Sequence, residues 1–143
     1  MNRFRNMLIL LCAVLLLSGC RTTTKEVGLS DFDWQMEFVS DENGNILASN
    51  SKDNASDSYK NVSCICDENS NISIINETEG KSWSGKYSLK VSDKGTKSYD
   101  LTFPDDVSVI GILGVREYED GETAYSFVIY TDDKVVSFLP KAI

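Results

Sequence analysis

The chain has 143 residues with 14 basic and 22 acidic side chains and a formal net charge of −8, and this length predicts one folded domain. Histidine is absent, and with it the commonest general base and metal ligand, so hydrolytic triads and zinc sites of the usual kinds are excluded. The acidic balance argues against nucleic acid and anionic lipid headgroups as partners. No carboxylate pair typical of a glycosidase stands out among the turn acids, so we expect no enzyme, no metal and no cofactor.

The first residues have the pattern of a secretory signal peptide. Arg3 and Arg5 precede an unbroken apolar run from Met7 to Leu17, and small residues follow it. A membrane-spanning helix needs about 20 apolar residues, so this run is too short to remain as one. We therefore predict that residues 1–19 are removed. Arg3 and Arg5 are lost with them, which reduces the 14 basic residues to 12 and makes the net charge −10.

The segment ends in Leu17-Ser18-Gly19-Cys20, which resembles the lipobox of bacterial lipoproteins. The resemblance implies cleavage between Gly19 and Cys20 and attachment of palmitate-type acyl chains to the Cys20 thiol. Each buried acyl CH₂ contributes about 0.8 kcal/mol, so two or three chains would anchor the protein durably. The implied location is extracytoplasmic, on the cell membrane or the outer membrane. The alternative is an ordinary signal peptide with a chance cysteine at its end.

The chain after the signal divides into a tether and one domain. Residues 20–30 have little apolar content and predict a short flexible tether, and residues 31–143 form the predicted domain. The domain opens with Trp34, Met36 and Phe38 alternating with polar residues, which predicts a half-buried strand.

The rest of the domain repeats this alternation between turn signals. Asn43-Gly44 predicts a hairpin with a short returning strand, and residues 49–60 are almost wholly polar and predict a long loop. Further strands are predicted at Val62–Cys66, Ile72–Ile74, Gly85–Val91, Tyr99–Phe103, Val107–Tyr118, Tyr125–Ile129 and Val136–Phe138. No amphipathic helix stands out. We predict an all-β, antiparallel up-and-down meander of about eight strands that closes into a barrel, with a β-sandwich as the alternative.

Two cysteines remain in the predicted domain. Cys64 and Cys66 lie two residues apart, so they share one face of a strand, with Cα atoms roughly 6.5 Å apart. That distance permits a disulfide only with a local kink. The favoured interpretation is that both are small apolar residues filling one strand face.

Several segments together resemble the small lipocalin-like lipoproteins of bacteria. They are Trp34, Gly85 with Tyr87, Ser98–Phe103, Glu119-Asp120-Gly121, Ser126–Ile129 and Val136–Phe138, so the resemblance spans roughly residues 31–140. It implies a lipocalin-like barrel. Lipocalins also cover the first-strand tryptophan with an arginine, and Arg116 is the candidate here, through a cation–π contact with Trp34. The alternative is an ordinary surface arginine.

Two acidic turns invite a calcium interpretation. Asp41-x-Asn43-x-Asn45 and Asp67-x-Asn69-x-Asn71 match the first three ligand positions of an EF-hand loop. Ile46 and Ile72 occupy the position of the required glycine. We therefore interpret both segments as turns.

The leading functional hypothesis is a membrane-anchored lipocalin-like barrel that binds a small apolar ligand or serves as an envelope accessory protein. The motivating observation is an excess of aromatic and aliphatic residues on one strand face, more than a narrow core needs, although side chains can also fill a small barrel completely. The predicted lining residues are Trp34, Phe38, Tyr87, Tyr99, Phe103, Phe127 and Phe138. We expect a monomer whose membrane contact is its N-terminal lipid.

The alternative hypothesis is a protein-interaction or protease-inhibitor-type lipoprotein, similar to the META-type β proteins. Its loops would act, above all residues 49–60 and the tip from Asn76 to Trp83. Trp83 would be the exposed anchor of that tip.

Overall fold

The structure is a computed structural model that describes residues 26–50, 61–93 and 96–142. These residues form nine strands and one 3₁₀ turn. The 3₁₀ turn is Leu29–Asp31. The strands are β1 (Asp33–Asp41), β2 (Ile46–Ser49), β3 (Val62–Cys66), β4 (Asn71–Asn76), β5 (Lys81–Asp93), β6 (Thr96–Thr102), β7 (Ser108–Glu117), β8 (Thr123–Tyr130) and β9 (Lys134–Pro140).

The strands form a closed, antiparallel barrel. Their order is β2-β1-β3-β4-β5-β6-β7-β8-β9, and β9 pairs back onto β1. Eight strands, β1 and β3 to β9, make the closed ring, while β2 pairs with the second half of β1. The predicted all-β meander and lipocalin-like barrel are confirmed. The β-sandwich alternative is wrong, because the β1–β9 pairing joins the two edges that a sandwich would leave open.

The hairpins follow from turn residues that the sequence supplies. Gly44, in the turn between β1 and β2, has φ +84°, a left-handed conformation that suits glycine. Asp41 holds the same turn, because its Oδ1 accepts the backbone N–H groups of Asn43 and Asn45 at 2.9 and 2.8 Å. Asp67 accepts from Asn69 and Asn71 in the same way at the turn between β3 and β4. Both segments are the aspartate-capped turns that the sequence indicates.

Strand β5 begins earlier than its alternation suggests. The strand predicted from Gly85 instead starts at Lys81, directly after Gly80, which has φ +65°. Trp83 therefore belongs to a paired strand, opposite Ile74 of β4, and the tip predicted from Asn76 to Trp83 is reduced to a four-residue turn, 77–80.

The two ends of the barrel differ: side chains fill one end, here called the closed end, and leave a cavity at the other, the open end. The closed end carries the 3₁₀ turn, where the Trp34 indole Nε1 donates to the Leu29 carbonyl at 2.9 Å. Nearby, the Lys97 ammonium donates to the Val27 carbonyl, which ties the first described residues to β6. The open end carries the turns between β1 and β2, β4 and β5, β6 and β7, and β8 and β9. Because antiparallel neighbours alternate in direction, and Asp41 pairs with Lys134, these four turns all lie on one rim.

Several predictions concern residues outside the described part of the chain. They are the signal peptide, the lipobox with Cys20, the tether up to residue 25 and most of the polar loop, residues 51–60. Within the described part, no helix has the length and apolar character needed to cross a membrane.

Candidate functional site

The interior of the barrel is packed at the closed end and hollow at the open end. The hollow is a cavity of about 690 Å³. Pockets that hold small molecules range from roughly 300 to 1,000 Å³ and are mostly apolar, so this cavity has the size of a ligand site.

Aliphatic and aromatic side chains from six strands and the turn after β6 form the cavity wall. Strand residues point alternately into and out of a barrel, and the wall residues occupy the inward positions. They are Met36, Val39, Val62, Ile74, Phe103, Val109, Ile129, Val136 and Phe138. The wall offers dispersion contacts and few hydrogen bonds, which suits a ligand with a large apolar part.

The charged groups that line the cavity lie at its rim. Trp83, whose surface is 47% exposed, lines the rim together with Asn76, Asp105, Asp133 and Lys134. The Asn76 Oδ1 accepts the Glu79 backbone N–H at 3.1 Å, which fixes this buried amide beneath the turn between β4 and β5.

One rim carboxylate is held in its charged form. The Lys134 ammonium hydrogen-bonds to the Asp133 carboxylate, and this contact lowers the pKa of Asp133 below its ordinary value. Asp133 and Lys134 therefore form an ion pair at the mouth of the cavity.

A row of aromatic rings fills the closed end and forms the floor of the cavity. The Phe32 and Trp34 ring centroids are 5.3 Å apart, those of Trp34 and Phe127 5.7 Å, and those of Phe127 and Phe138 6.1 Å. Trp34, Phe127 and Phe138 are fully buried. These rings support the barrel and limit how deep a ligand can enter.

The seven residues predicted to line the interior separate into three groups. Phe103 and Phe138 line the cavity. Four others are part of the barrel interior but pack against one another instead of facing the cavity: Trp34, Tyr87, Tyr99 and Phe127. Burial raises the pKa of Tyr99 to about 12. Phe38 is the exception.

The expectation that Phe38 faces the interior is wrong, because a β-bulge interrupts β1. The register between β1 and β9 shifts between Met36 and Phe38, and the alternation of β1 changes there. Phe38 consequently lies on the outer wall, paired opposite Ser137, and Val39 takes the inward position.

Arg116 covers this outer phenylalanine and not Trp34. Its guanidinium lies 5.8 Å from the Phe38 ring centroid, and its Nη1 donates to both Glu37 oxygens at 2.7 and 2.6 Å. Its Nη2 donates to the Ser137 hydroxyl at 3.1 Å. The stacking partner expected from the lipocalin resemblance is therefore replaced by an ion pair on the outside of the barrel.

Sequence reasoning missed the aliphatic part of the cavity wall. Ile74 and Val136 are cavity residues, and both share a predicted strand face with residues named for other reasons. The alternation contained this signal, because Ile74 shares a strand face with Ile72, and Val136 with Phe138. Asn76 had no signal, because a buried asparagine at a strand end looks like an ordinary turn residue.

The two cysteines pack inside the barrel, and the two acidic segments cap turns. Cys64 and Cys66 are buried and form no disulfide, and their mutual hydrogen bond, with burial, raises the pKa of the Cys64 thiol. Within the described ranges, no group of three or more metal-ligating side chains could hold an ion.

Comparison with protein-family models, with curated proteins and with solved structures finds no significant match to this chain.

Proposed function

We propose that this protein binds a small apolar or amphiphilic molecule in the open end of its barrel. The observation that carries the proposal is the cavity of about 690 Å³, with an apolar wall, a packed aromatic floor and a polar rim. A barrel of this size can be filled completely by its own side chains. In this barrel, side chains fill the interior only as far as the ring of Phe138, which lines the cavity.

The apolar wall supports a useful affinity. Each buried CH₂ contributes about 0.8 kcal/mol, so a tail of about fourteen carbons would gain about 11 kcal/mol. Association costs at least about 4 kcal/mol, which leaves about 7 kcal/mol. The expected dissociation constant is on the order of 10 µM.

The two tryptophans allow a direct test. Trp83 lines the rim and Trp34 is fully buried in the packed end, so one reports on the cavity and the other serves as a reference. We expect the neutral probe N-phenyl-1-naphthylamine to gain fluorescence on binding and to quench Trp83 in a Trp34→Phe variant. Absence of any fluorescence change at protein concentrations above the expected dissociation constant would refute ligand binding.

A matched pair of variants on β9 locates the binding site. Val136 faces the cavity, whereas its neighbour Val135 occupies an outward position on the same strand. Val136→Phe should fill part of the cavity and weaken probe binding at least about tenfold. Val135→Phe makes the same chemical change on the outer face and should leave binding intact. Equal effects of the two substitutions would place the probe elsewhere.

We further propose that the barrel is an extracytoplasmic lipoprotein anchored through acyl chains on Cys20. The motivating observation is the Leu17-Ser18-Gly19-Cys20 sequence behind a short apolar run. Mass spectrometry of the mature protein should find an acylated Cys20 as the first residue, and Cys20→Ser should release the protein from membranes. An unmodified thiol at the mature terminus would contradict the anchor.

The anchor, combined with the fold, suggests an orientation. The first described residues lie at the closed end, where Lys97 binds the Val27 carbonyl. Only residues 20–25 separate the proposed lipid from that point, and an extended chain spans at most about 3.6 Å per residue. In this proposal the closed end stays within about 20 Å of the bilayer and the cavity opens away from it.

The exposure of Trp83 also supports the second candidate function, recognition of a partner protein. An exposed tryptophan on a rim is a common anchor in protein interfaces. Trp83→Ala should abolish recovery of a partner in a pull-down if the rim is an interface. Unchanged recovery would count against this function without affecting the ligand experiments.

A further inference from the structure

The rim of the cavity is strongly acidic. Among the described residues, the open-end turns and the strand ends that adjoin them carry eight carboxylates and two ammonium groups. The carboxylates are Asp41, Glu42, Glu77, Glu79, Asp105, Asp106, Asp132 and Asp133, and the ammonium groups are Lys81 and Lys134. A ligand head at this rim therefore experiences a negative potential.

Both rim lysines are already engaged by carboxylates. Lys81 Nζ lies 2.9 Å from Glu79 Oε2, and Lys134 Nζ bonds to Asp133. A carboxylate head would have to compete with these acidic partners for either lysine. The rim is accordingly a poor receptor for an anionic amphiphile such as a fatty acid.

The groups that line the cavity mouth fit an ammonium head. Trp83 presents a half-exposed indole at the mouth, and Asp105 and Asp133 line the same cavity. An indole face attracts alkylammonium groups, and a carboxylate adds Coulomb attraction. These groups lie at the mouth, directly above the apolar wall that would take a hydrocarbon tail.

We propose that the cavity selects amphiphiles with an ammonium head, which lies against Trp83 and Asp105 while the tail occupies the barrel. This inference rests on the proposed ligand-binding function and names the chemical class of the ligand. Reversing the sign of a charge about 7 Å from one exposed carboxylate changes affinity by roughly tenfold in water.

The test is a displacement series with one tail and three heads. Dodecyltrimethylammonium, dodecanoate and neutral monododecanoylglycerol would each displace N-phenyl-1-naphthylamine, below their micelle concentrations and at low salt. We expect the ammonium compound to bind roughly tenfold more tightly than dodecanoate, with the neutral compound between them. The preference should shrink at high salt, because rim charges are screened.

Two aspartate variants assign the effect to the rim. Asp105→Asn keeps the shape, and asparagine tolerates the left-handed conformation of this residue, φ +62°. This variant should bind the ammonium compound roughly threefold more weakly and dodecanoate roughly threefold more tightly. Its affinity for the neutral compound should not change. Asp120→Asn is the control, because Asp120 lies in the turn between β7 and β8 at the closed end.

The displacement experiments distinguish failure of the ammonium preference from failure of ligand binding as a whole. If the probe binds but all three heads bind equally, or dodecanoate binds best, the ammonium preference is refuted and ligand binding stands. If the probe does not bind to the wild-type protein, ligand binding itself is refuted, and the ammonium preference with it. An equal response to Asp105→Asn and Asp120→Asn would refute the role of the rim.

Discussion

Gly85 is the position where the addition of one methyl group should damage this barrel most. It lies on β5 opposite Ile72, and a Cβ at this site would stand 2.2 Å from the carbonyl oxygen of Thr102 on β6. It would also stand 2.9 Å from Cδ1 of Phe103, which lines the cavity. Ordinary contact begins near 3.4 Å, so β5 and β6 must separate locally by about 1 Å.

The cost of Gly85→Ala follows from that displacement. Overpacking of a tight site costs about 1–3 kcal/mol. Moving the Thr102 carbonyl also weakens one backbone hydrogen bond near the Lys86–Thr102 pair, worth about 1 kcal/mol. The free energy of unfolding should therefore fall by about 2–4 kcal/mol, a large part of the roughly 5–15 kcal/mol typical of a domain.

Gly114 provides the matched control for this prediction. It lies within β7, where an added Cβ would meet no atom within 4 Å. Gly114→Ala should be neutral or stabilising by up to about 1 kcal/mol, because alanine restricts the unfolded chain more than glycine does. Urea unfolding followed by far-ultraviolet circular dichroism measures both variants, with equal slopes as the check that the unfolded states are comparable. A Gly85→Ala variant within about 0.5 kcal/mol of Gly114→Ala would refute the steric argument.

Three further predictions concern charge and ionisation. Arg116→Met should lower the free energy of unfolding by about 1–2 kcal/mol, because the Glu37 carboxylate, only 25% exposed, loses its charged partner. A double-mutant cycle with Glu37→Gln that shows no coupling energy would contradict this prediction. Hydrogen bonds from Asn71 lower the pKa of Asp67 below 3.8, so its contribution to stability is complete above that pH and is lost as the pH falls further. Asp67→Asn should therefore flatten the acid limb of the stability profile in urea titrations, and an unchanged limb would argue against the turn contacts. Burial raises the pKa of Tyr99 from 10.0 to about 12. The contribution of Tyr99 to the free energy of unfolding is therefore complete below pH 10 and is lost as the pH rises towards 12. Tyr99→Phe should reduce this alkaline loss of stability, and identical stability profiles of the two proteins at alkaline pH would contradict the prediction.

The local features of this fold were predictable from the sequence. The alternation around Trp34 and Met36, and the Asn43-Gly44 step, identified a strand and a hairpin that the structure contains. Both signals depend only on neighbouring residues, since side chains alternate along a strand and a tight turn needs a left-handed residue. The predicted strands Tyr125–Ile129 and Val136–Phe138 likewise fall within β8 and β9.

The candidate site was predicted only in part, for two physical reasons. The bulge after Met36 moved Phe38 to the outer wall, and no residue in that stretch announces a bulge. The division of interior aromatics into floor and cavity wall also depends on packing between distant strands. Trp34 and Phe127 are 93 positions apart in the sequence numbering, yet their ring centroids lie 5.7 Å from each other.

The sequence by itself determined that this chain forms antiparallel strands with one apolar face, because that pattern is written into each short segment. Only the tertiary structure decided that β9 pairs with β1, that the aromatic rings gather at one end, and that an apolar cavity with an acidic rim remains at the other. Closure and filling are properties of the whole ring of strands, since each wall position depends on the register and side-chain volume of every other strand.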